Sequence, residues 1–127
     1  MKLKKDLVRD ILLAVEADSS SPEKSILLEL ESGTSQEIAY HVMLLHEAGL
    51  LFGQDESVLS DVYPVWRPKR LTFEGHEILD TVRDTEVWRR TKTGAEKAGV
   101  ASIGLLMELG KAYGKQILKE RLGIELS

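Results

Sequence analysis

The chain has 127 residues, with 17 Lys+Arg against 21 Asp+Glu, a formal net charge of -4, and no cysteine. Without cysteine, disulfide frameworks, thiolate metal sites and thiol nucleophiles are excluded, and 43% hydrophobic with 30% charged residues describes a globular chain long enough for one ordinary core. The longest nearly uncharged apolar stretch, Ala98 to Met107, is about half the ~20 residues of a bilayer crossing, and Met1-Lys2-Leu3-Lys4-Lys5 does not read as a signal segment, so a cytoplasmic protein without a membrane partner is expected.

Leu3, Leu7, Val8, Ile11, Leu12 and Val15 recur at helical spacing and predict a first helix from Lys4 to about Ala17. Asp18-Ser19-Ser20-Ser21-Pro22 breaks it. Ser25 to Glu31 ends in strict alternation and reads as a short strand, with a helical turn as the alternative. A second helix is predicted over Ser35 to Ala48, with Ser35 as N-cap and Gly49 as the residue that ends it. Leu50-Leu51-Phe52 then opens a strand whose returning partner runs from Val62 to Leu71. Pro64 and Pro68 confine that hairpin to an edge or a projecting wing. Thr72 is the expected cap of a third helix reaching about Asp84, in which Gly75 permits a close approach to a neighbour. Thr85 is the expected cap of a fourth, to about Lys97. After Gly99 a last helix is predicted from Val100 or Ala101 to about Arg121.

Charge is unevenly distributed along this order. From Ser25 to Trp66 there is no Lys or Arg, against seven acids: Glu29, Glu31, Glu37, Glu47, Asp55, Glu56 and Asp61. From Arg67 onward there are twelve basic and nine acidic residues, so only the flanking parts suit a phosphate backbone.

Two stretches in this order resemble a winged-helix domain. Tyr40-His41-Val42-Met43-Leu44-Leu45-His46-Glu47-Ala48-Gly49-Leu50-Leu51 resembles the end of a recognition helix running through a Gly into the wing. Leu71-Thr72-Phe73-Glu74-Gly75-His76-Glu77-Ile78-Leu79 resembles the turn that follows the wing. Over about its full length, including Arg83-Asp84-Thr85-Glu86-Val87-Trp88, the chain is similar to a family of small bacterial and prophage-encoded proteins known only as a domain of unknown function. That resemblance implies a winged-helix-like fold and no established activity. The expected fold is therefore mainly α with a small antiparallel hairpin (α+β), a winged-helix-like domain over residues 1–84 and a C-terminal helical extension over 85–127, forming a single compact unit.

On a helical wheel at ~100° per residue, Ile38, Val42 and Leu45 share one narrow sector, the core face. Gln36, Tyr40, Met43, Leu44 and Glu47 lie on the other side. A groove-reading helix presents Arg, Lys, Asn, Gln or Ser there, whereas this one offers two aliphatic side chains, a Tyr and carboxylates. Tyr40, Met43 and Leu44 are thus candidates for intrachain core or for a partner or dimer surface, with a groove-reading face the least favoured. Trp66, Arg67, Lys69 and Arg70 on the hairpin's return leg are the candidates for a weak nucleic-acid contact, or for a charged edge that prevents strand pairing. In the last helix, Ile103, Leu106, Met107, Gly110, Tyr113, Gly114 and Ile117 form one side, widened by Leu105, Leu109 and Ala112. Leu106, Gly110, Tyr113, Gly114 and Ile117 are the candidate packing or homodimer positions, and close contact is expected at Gly104, Gly110 and Gly114.

No catalytic, cofactor or metal set is expected. Gly94 and Gly99 have P-loop spacing but lack the following Lys and Ser/Thr. His41 and His46 lie five apart, about 140° around a helix, and cannot share a metal. No nucleophile elbow is present. The expectation is a non-enzymatic interaction or regulatory module binding a protein or itself, with a wing-bound DNA regulator as the alternative.

Overall fold

The computed structural model describes residues 1–18 and 20–123. Five helices and one two-stranded sheet follow in the order α1 (Lys5–Ala17), α2 (Ser35–Glu47), β1 (Leu51–Asp55), β2 (Trp66–Leu71), α3 (Phe73–Val82), α4 (Thr85–Ala98) and α5 (Ile103–Leu122). The architecture is mainly α with a small antiparallel sheet, as expected. The chain divides into two compact units, Met1–His76 and Glu77–Ser127.

In the first unit, α1 buries Leu7, Val8, Ile11, Leu12 and Val15, each worth about 1.5–3 kcal/mol relative to full exposure. α2 contributes Ile38, Ala39, Val42 and Leu45 to the same core, with Leu50, Leu51 and Leu71 from the hairpin base. The cap of α2 is Thr34 rather than Ser35. Its hydroxyl accepts from the Glu37 N–H (3.2 Å), while the Glu37 carboxylate accepts from the Thr34 N–H (3.0 Å). Gly49, at φ 78°, ends the helix in the left-handed region.

The hairpin pairs Leu51 with Leu71, Phe52 with Arg70 and Gly53 with Pro68, leaving Lys69 as the extra residue of a bulge. The return strand starts at Trp66, four residues later than expected. Before it, the chain from Ser57 is held as a loop by local bonds: Val58 N–H to the Asp61 carboxylate (2.7 Å) and Val65 N–H to the Ser57 hydroxyl (2.7 Å). The predicted strand over Ser25–Glu31 is absent. Ile26 donates one backbone bond to the Pro68 carbonyl (2.7 Å), but Pro68 has no N–H with which to return it, so no ladder propagates.

Thr72 caps α3 as expected. It accepts from the Gly75 N–H (3.0 Å) and donates to the Gly49 carbonyl (2.6 Å), tying the helix to the end of α2. A Cβ on Gly75 would overlap the carbonyl oxygen of Leu50 and lie 2.9 Å from its carbon, so only glycine fits.

In the second unit, α4 is capped by Asp84 rather than Thr85. Its carboxylate accepts from both the Glu86 and Val87 N–H groups at 3.0 Å. Gly99, at φ 69°, ends α4. α5 begins at Ile103, two to three residues later than predicted, because Ser102 accepts from the Leu105 N–H (3.2 Å) and sets the start. Leu79, Val82, Val87, Trp88, Ala95, Leu106 and Ile117 are buried here. Arg121 forks onto Asp84 (2.6 and 3.2 Å), and Arg90 forks onto Glu120 (3.1 Å twice) while also meeting Glu86 (3.0 Å), pinning the end of α5 to the start of α4. The Arg121 guanidinium and the capped N–H groups hold the Asp84 carboxyl down to about 2.

Candidate functional site

Tyr40, Met43 and Leu44 lie along one side of α2 and are all half-buried, whereas Glu47 beyond them is exposed. The Tyr40 ring meets His41 edge-on, with centroids 6.0 Å apart. No Lys or Arg interrupts this side, because α2 contains neither.

The two histidines of α2 have roles that the wheel reading overlooked. His41 is fully buried. Its Nε2 accepts the Lys4 N–H (2.9 Å), so its Nδ1 carries the proton and donates to the Glu37 carbonyl (2.8 Å). Lys4, the N-cap residue of α1, makes no side-chain cap, and His41 instead satisfies the Lys4 N–H itself, the donor that an N3 carboxylate takes in a capping box. Lys4 Nζ in turn pairs with the Glu37 carboxylate at 3.1 Å. The Glu37 carboxyl is held low first by the Thr34 N–H and then by Lys4. Burial pushes the His41 pKa down against the opposing pull of the Glu37 carbonyl and carboxylate, with the Lys4 charge adding to the depression. The signal was legible: at ~100° per residue, position 41 falls beside Ile38 and Leu45 on the core sector. His46 is half-buried and accepts the Gly53 N–H through Nδ1 (3.0 Å), fixing the middle of β1 to α2.

On the hairpin, Trp66 is half-buried with its ring 5.4 Å from that of His46. Two of the three cations expected to face a phosphate backbone already have partners. Arg67 pairs with Glu56 at 3.2 Å. Arg70 sits 4.3 Å from the centre of the Phe52 ring and donates to the Leu71 carbonyl (3.1 Å). Lys69, at the bulge, has no ion pair among the described residues.

Beside Trp66 lies an open groove of about 370 Å³, between Ile26–Leu28, the first turns of α2 and the loop residues Asp61–Val65. Sequence reading did not find it, because its walls come from two irregular segments. Three large apolar side chains that line it are exposed: Leu27 (67%), Val62 (85%) and Tyr63 (54%).

The last helix divides its positions between two environments. Leu106, Gly110 and Ile117 are buried, and Tyr113 and Gly114 are half-buried. A Cβ on Gly110 would lie 3.0 Å from Val82, one on Gly114 2.5 Å from Thr81, and one on Gly94 of α4 2.5 Å from the Tyr113 hydroxyl oxygen. The glycines therefore admit α3 and α4 side chains of the same chain. Gly104 is different: nothing lies within 4 Å of its Cβ position, so the close packing expected there is absent. Leu105 and Ala112 are exposed rather than part of the buried stripe. Gly94 and Gly99, the P-loop-like pair, are accounted for by the Tyr113 contact and by the end of α4.

Among the described residues no group of three or more His, Asp or Glu is placed to hold a metal ion, and no helix is long and apolar enough to cross a membrane. No solved structure matches the chain. A Haemophilus influenzae protein described as "Uncharacterized protein" is 34% identical over 123 residues, covering 96% of this chain and 99% of that protein. The family model described as "Hypothetical protein (DUF2513)" matches residues 2–101, which takes in α1 through α4 and both candidate surfaces of the first unit. By that match and by the full-length relative, the chain belongs to the DUF2513 family.

Proposed function

We propose that the chain is a non-enzymatic, cytoplasmic interaction or regulatory module of bacterial and prophage type, built on a winged-helix-like domain whose recognition-position helix packs on protein. The order α1, α2, hairpin, α3 and the joint made by Gly49, Thr72 and Gly75 support the winged-helix comparison. One observation carries the functional reading. The side of α2 that would enter a DNA groove consists of half-buried Tyr40, Met43 and Leu44 followed by Glu47, with no Lys or Arg on the helix. Such a face loses free energy when wet and repels phosphate. Affinity capture from the native host, with and without nuclease, tests this reading. A partner retained after nuclease supports it; one released by nuclease overturns it.

The second reading, DNA binding through the wing, rests on Lys69, a cation at the bulge of the hairpin without an ion pair among the described residues. One or two free phosphate contacts give only weak, salt-sensitive affinity. Anisotropy of a labelled duplex at low salt, comparing the wild type with an Arg67→Ala/Lys69→Ala/Arg70→Ala variant, decides it. Saturable binding that the triple variant abolishes would favour the wing. Self-association through α5 is the remaining partner reading. Because α3 and α4 side chains meet Gly110 and Gly114, a dimer would use the side bearing Leu105 and Ala112. A monomeric mass at high micromolar concentration would dismiss it.

A further inference from the structure

We infer that the groove between Leu27, the start of α2 and the Val62–Tyr63 loop is a docking site for a polypeptide segment that combines apolar and basic side chains. This inference rests on the protein-interaction reading above and names the chemistry of the partner.

The first ground is the apolar surface itself. The loop after β1 is ordered by polar groups, with Asp61 accepting the Val58 N–H and Ser57 accepting the Val65 N–H. Those bonds fix a conformation that leaves Val62 and Tyr63 standing in solvent beside Leu27. A contiguous set of exposed large apolar side chains marks an interaction surface more often than a solvated one. One wall also offers backbone groups. Ile26 bonds Pro68, and beyond it the backbone groups of Leu27–Leu30 have no hydrogen-bond partner among the described residues. An incoming peptide can therefore add main-chain hydrogen bonds to side-chain burial, the combination used when a strand docks on an exposed edge.

The second ground is charge, and it selects the occupant. Among the lining residues Asp61 is an exposed carboxylate, and beyond the lining Leu28 runs on into exposed Glu29 and Glu31 while Pro68 runs on into Lys69, which leaves the acids in excess. The one cation lining the groove, Arg67, is already paired with Glu56. A two-fold dimer through this face would set the same acids against their own copies, and nucleic acid would meet the same repulsion. A partner with Lys or Arg between its apolar side chains satisfies both the groove and its rim.

The test uses the full chain carrying Trp88→Phe, so that Trp66, which lines the groove, is the fluorescent reporter. Three short synthetic peptides are titrated: Leu alternating with Lys, Leu alternating with Glu, and Ser alternating with Lys. The Leu/Lys peptide is expected to saturate, roughly tenfold or more tighter than either other peptide. Two variants at exposed positions separate the contributions: Val62→Ser/Tyr63→Ser removes apolar surface, and Glu29→Gln/Glu31→Gln removes charge. Each should weaken the Leu/Lys peptide several-fold while the circular dichroism spectrum is unchanged. Absence of Leu/Lys binding, equal binding of the Leu/Glu peptide, or affinity untouched by both variants overturns the site. So does self-association of the chain that Val62→Ser/Tyr63→Ser abolishes, since the occupant is then a second copy. If the Ser/Ser variant still captures the same nuclease-resistant host partner undiminished, the groove assignment fails while the interaction reading stands. If capture needs nucleic acid, the interaction reading fails as well.

Discussion

Replacing His41 with Leu should remove a pH-dependent share of the first unit's stability. His41 is fully buried, with Nε2 held by the Lys4 N–H at 2.9 Å and Nδ1–H held by the Glu37 carbonyl at 2.8 Å. Protonation would put a second N–H on Nε2, facing the Lys4 donor, and would place a charge among aliphatic side chains. The folded state therefore resists protonation, and the His41 pKa lies below its ordinary 6.5. In the unfolded chain the imidazole takes its proton at the ordinary value, so below it the unfolded state binds more protons. The contribution is complete above pH 6.5 and declines as pH falls toward the depressed folded value, with a slope that approaches about 1.4 kcal/mol per pH unit for one proton. At neutral pH, Leu in this place also leaves the Lys4 N–H without its acceptor, a cost of about 1–3 kcal/mol offset in part by the apolar replacement. Urea unfolding followed by Trp66 fluorescence in a Trp88→Phe background measures both effects, at pH 7.5, 6.5 and 5.5. The wild type should lose stability over that series at constant m-value, and the His41→Leu chain should start lower and change less. A wild-type stability that is flat from pH 7.5 to 5.5, or an equal slope in the variant, would refute the assignment of a neutral Nδ1–H imidazole.

Other consequences follow from single contacts. Gly75→Ala should destabilise by about 1–3 kcal/mol despite the helical preference of Ala, because the new methyl meets the Leu50 backbone, which cannot yield as a side chain would; Gly104→Ala, with nothing within 4 Å, should instead be neutral or stabilising by up to about 1 kcal/mol. Thermal melts of the two variants should shift in opposite directions, and equal shifts would contradict the packing described. Asp84→Ala should cost about 1 kcal/mol, mainly through the lost cap of α4, with the solvent-screened Arg121 pair adding little. Because the Asp84 carboxyl sits at about 2 rather than its ordinary 3.8, its contribution is present above 3.8 and is lost as pH falls toward 2. Melts of wild type and variant should therefore converge below pH 3; a constant gap would contradict it.

Periodicity located α1, α2 and α5, whose apolar positions recur at spacings that only a helix aligns, whereas α4 was placed by the cap expected before it and by Gly99 after it. The helix starts were harder, because two capping residues often stand side by side. Thr34 and Ser35 both suit the role, and Glu37, three residues after Thr34, is the feature that chooses between them. Asp84 likewise precedes Thr85. The Ser25–Glu31 strand failed for a reason outside the segment itself: its neighbour is Pro68, which accepts one bond and can donate none. Gly75 was legible as a close approach, whereas Gly104 in the same composition class meets nothing, because a wheel shows direction and not what stands there. The α2 side bearing Tyr40, Met43 and Leu44 was legible from the wheel. The groove beside it was not, because the positions of Leu27 and Val62 depend on irregular backbone held by Asp61, Ser57 and Pro68.

The claim that this hairpin and helix meet protein rather than nucleic acid is tested most directly by light-induced crosslinking in the native host, with a photoreactive amino acid in place of Val62, which is 85% exposed at the groove. The account predicts a discrete adduct that protease destroys and nuclease leaves intact. An adduct that nuclease removes would contradict it.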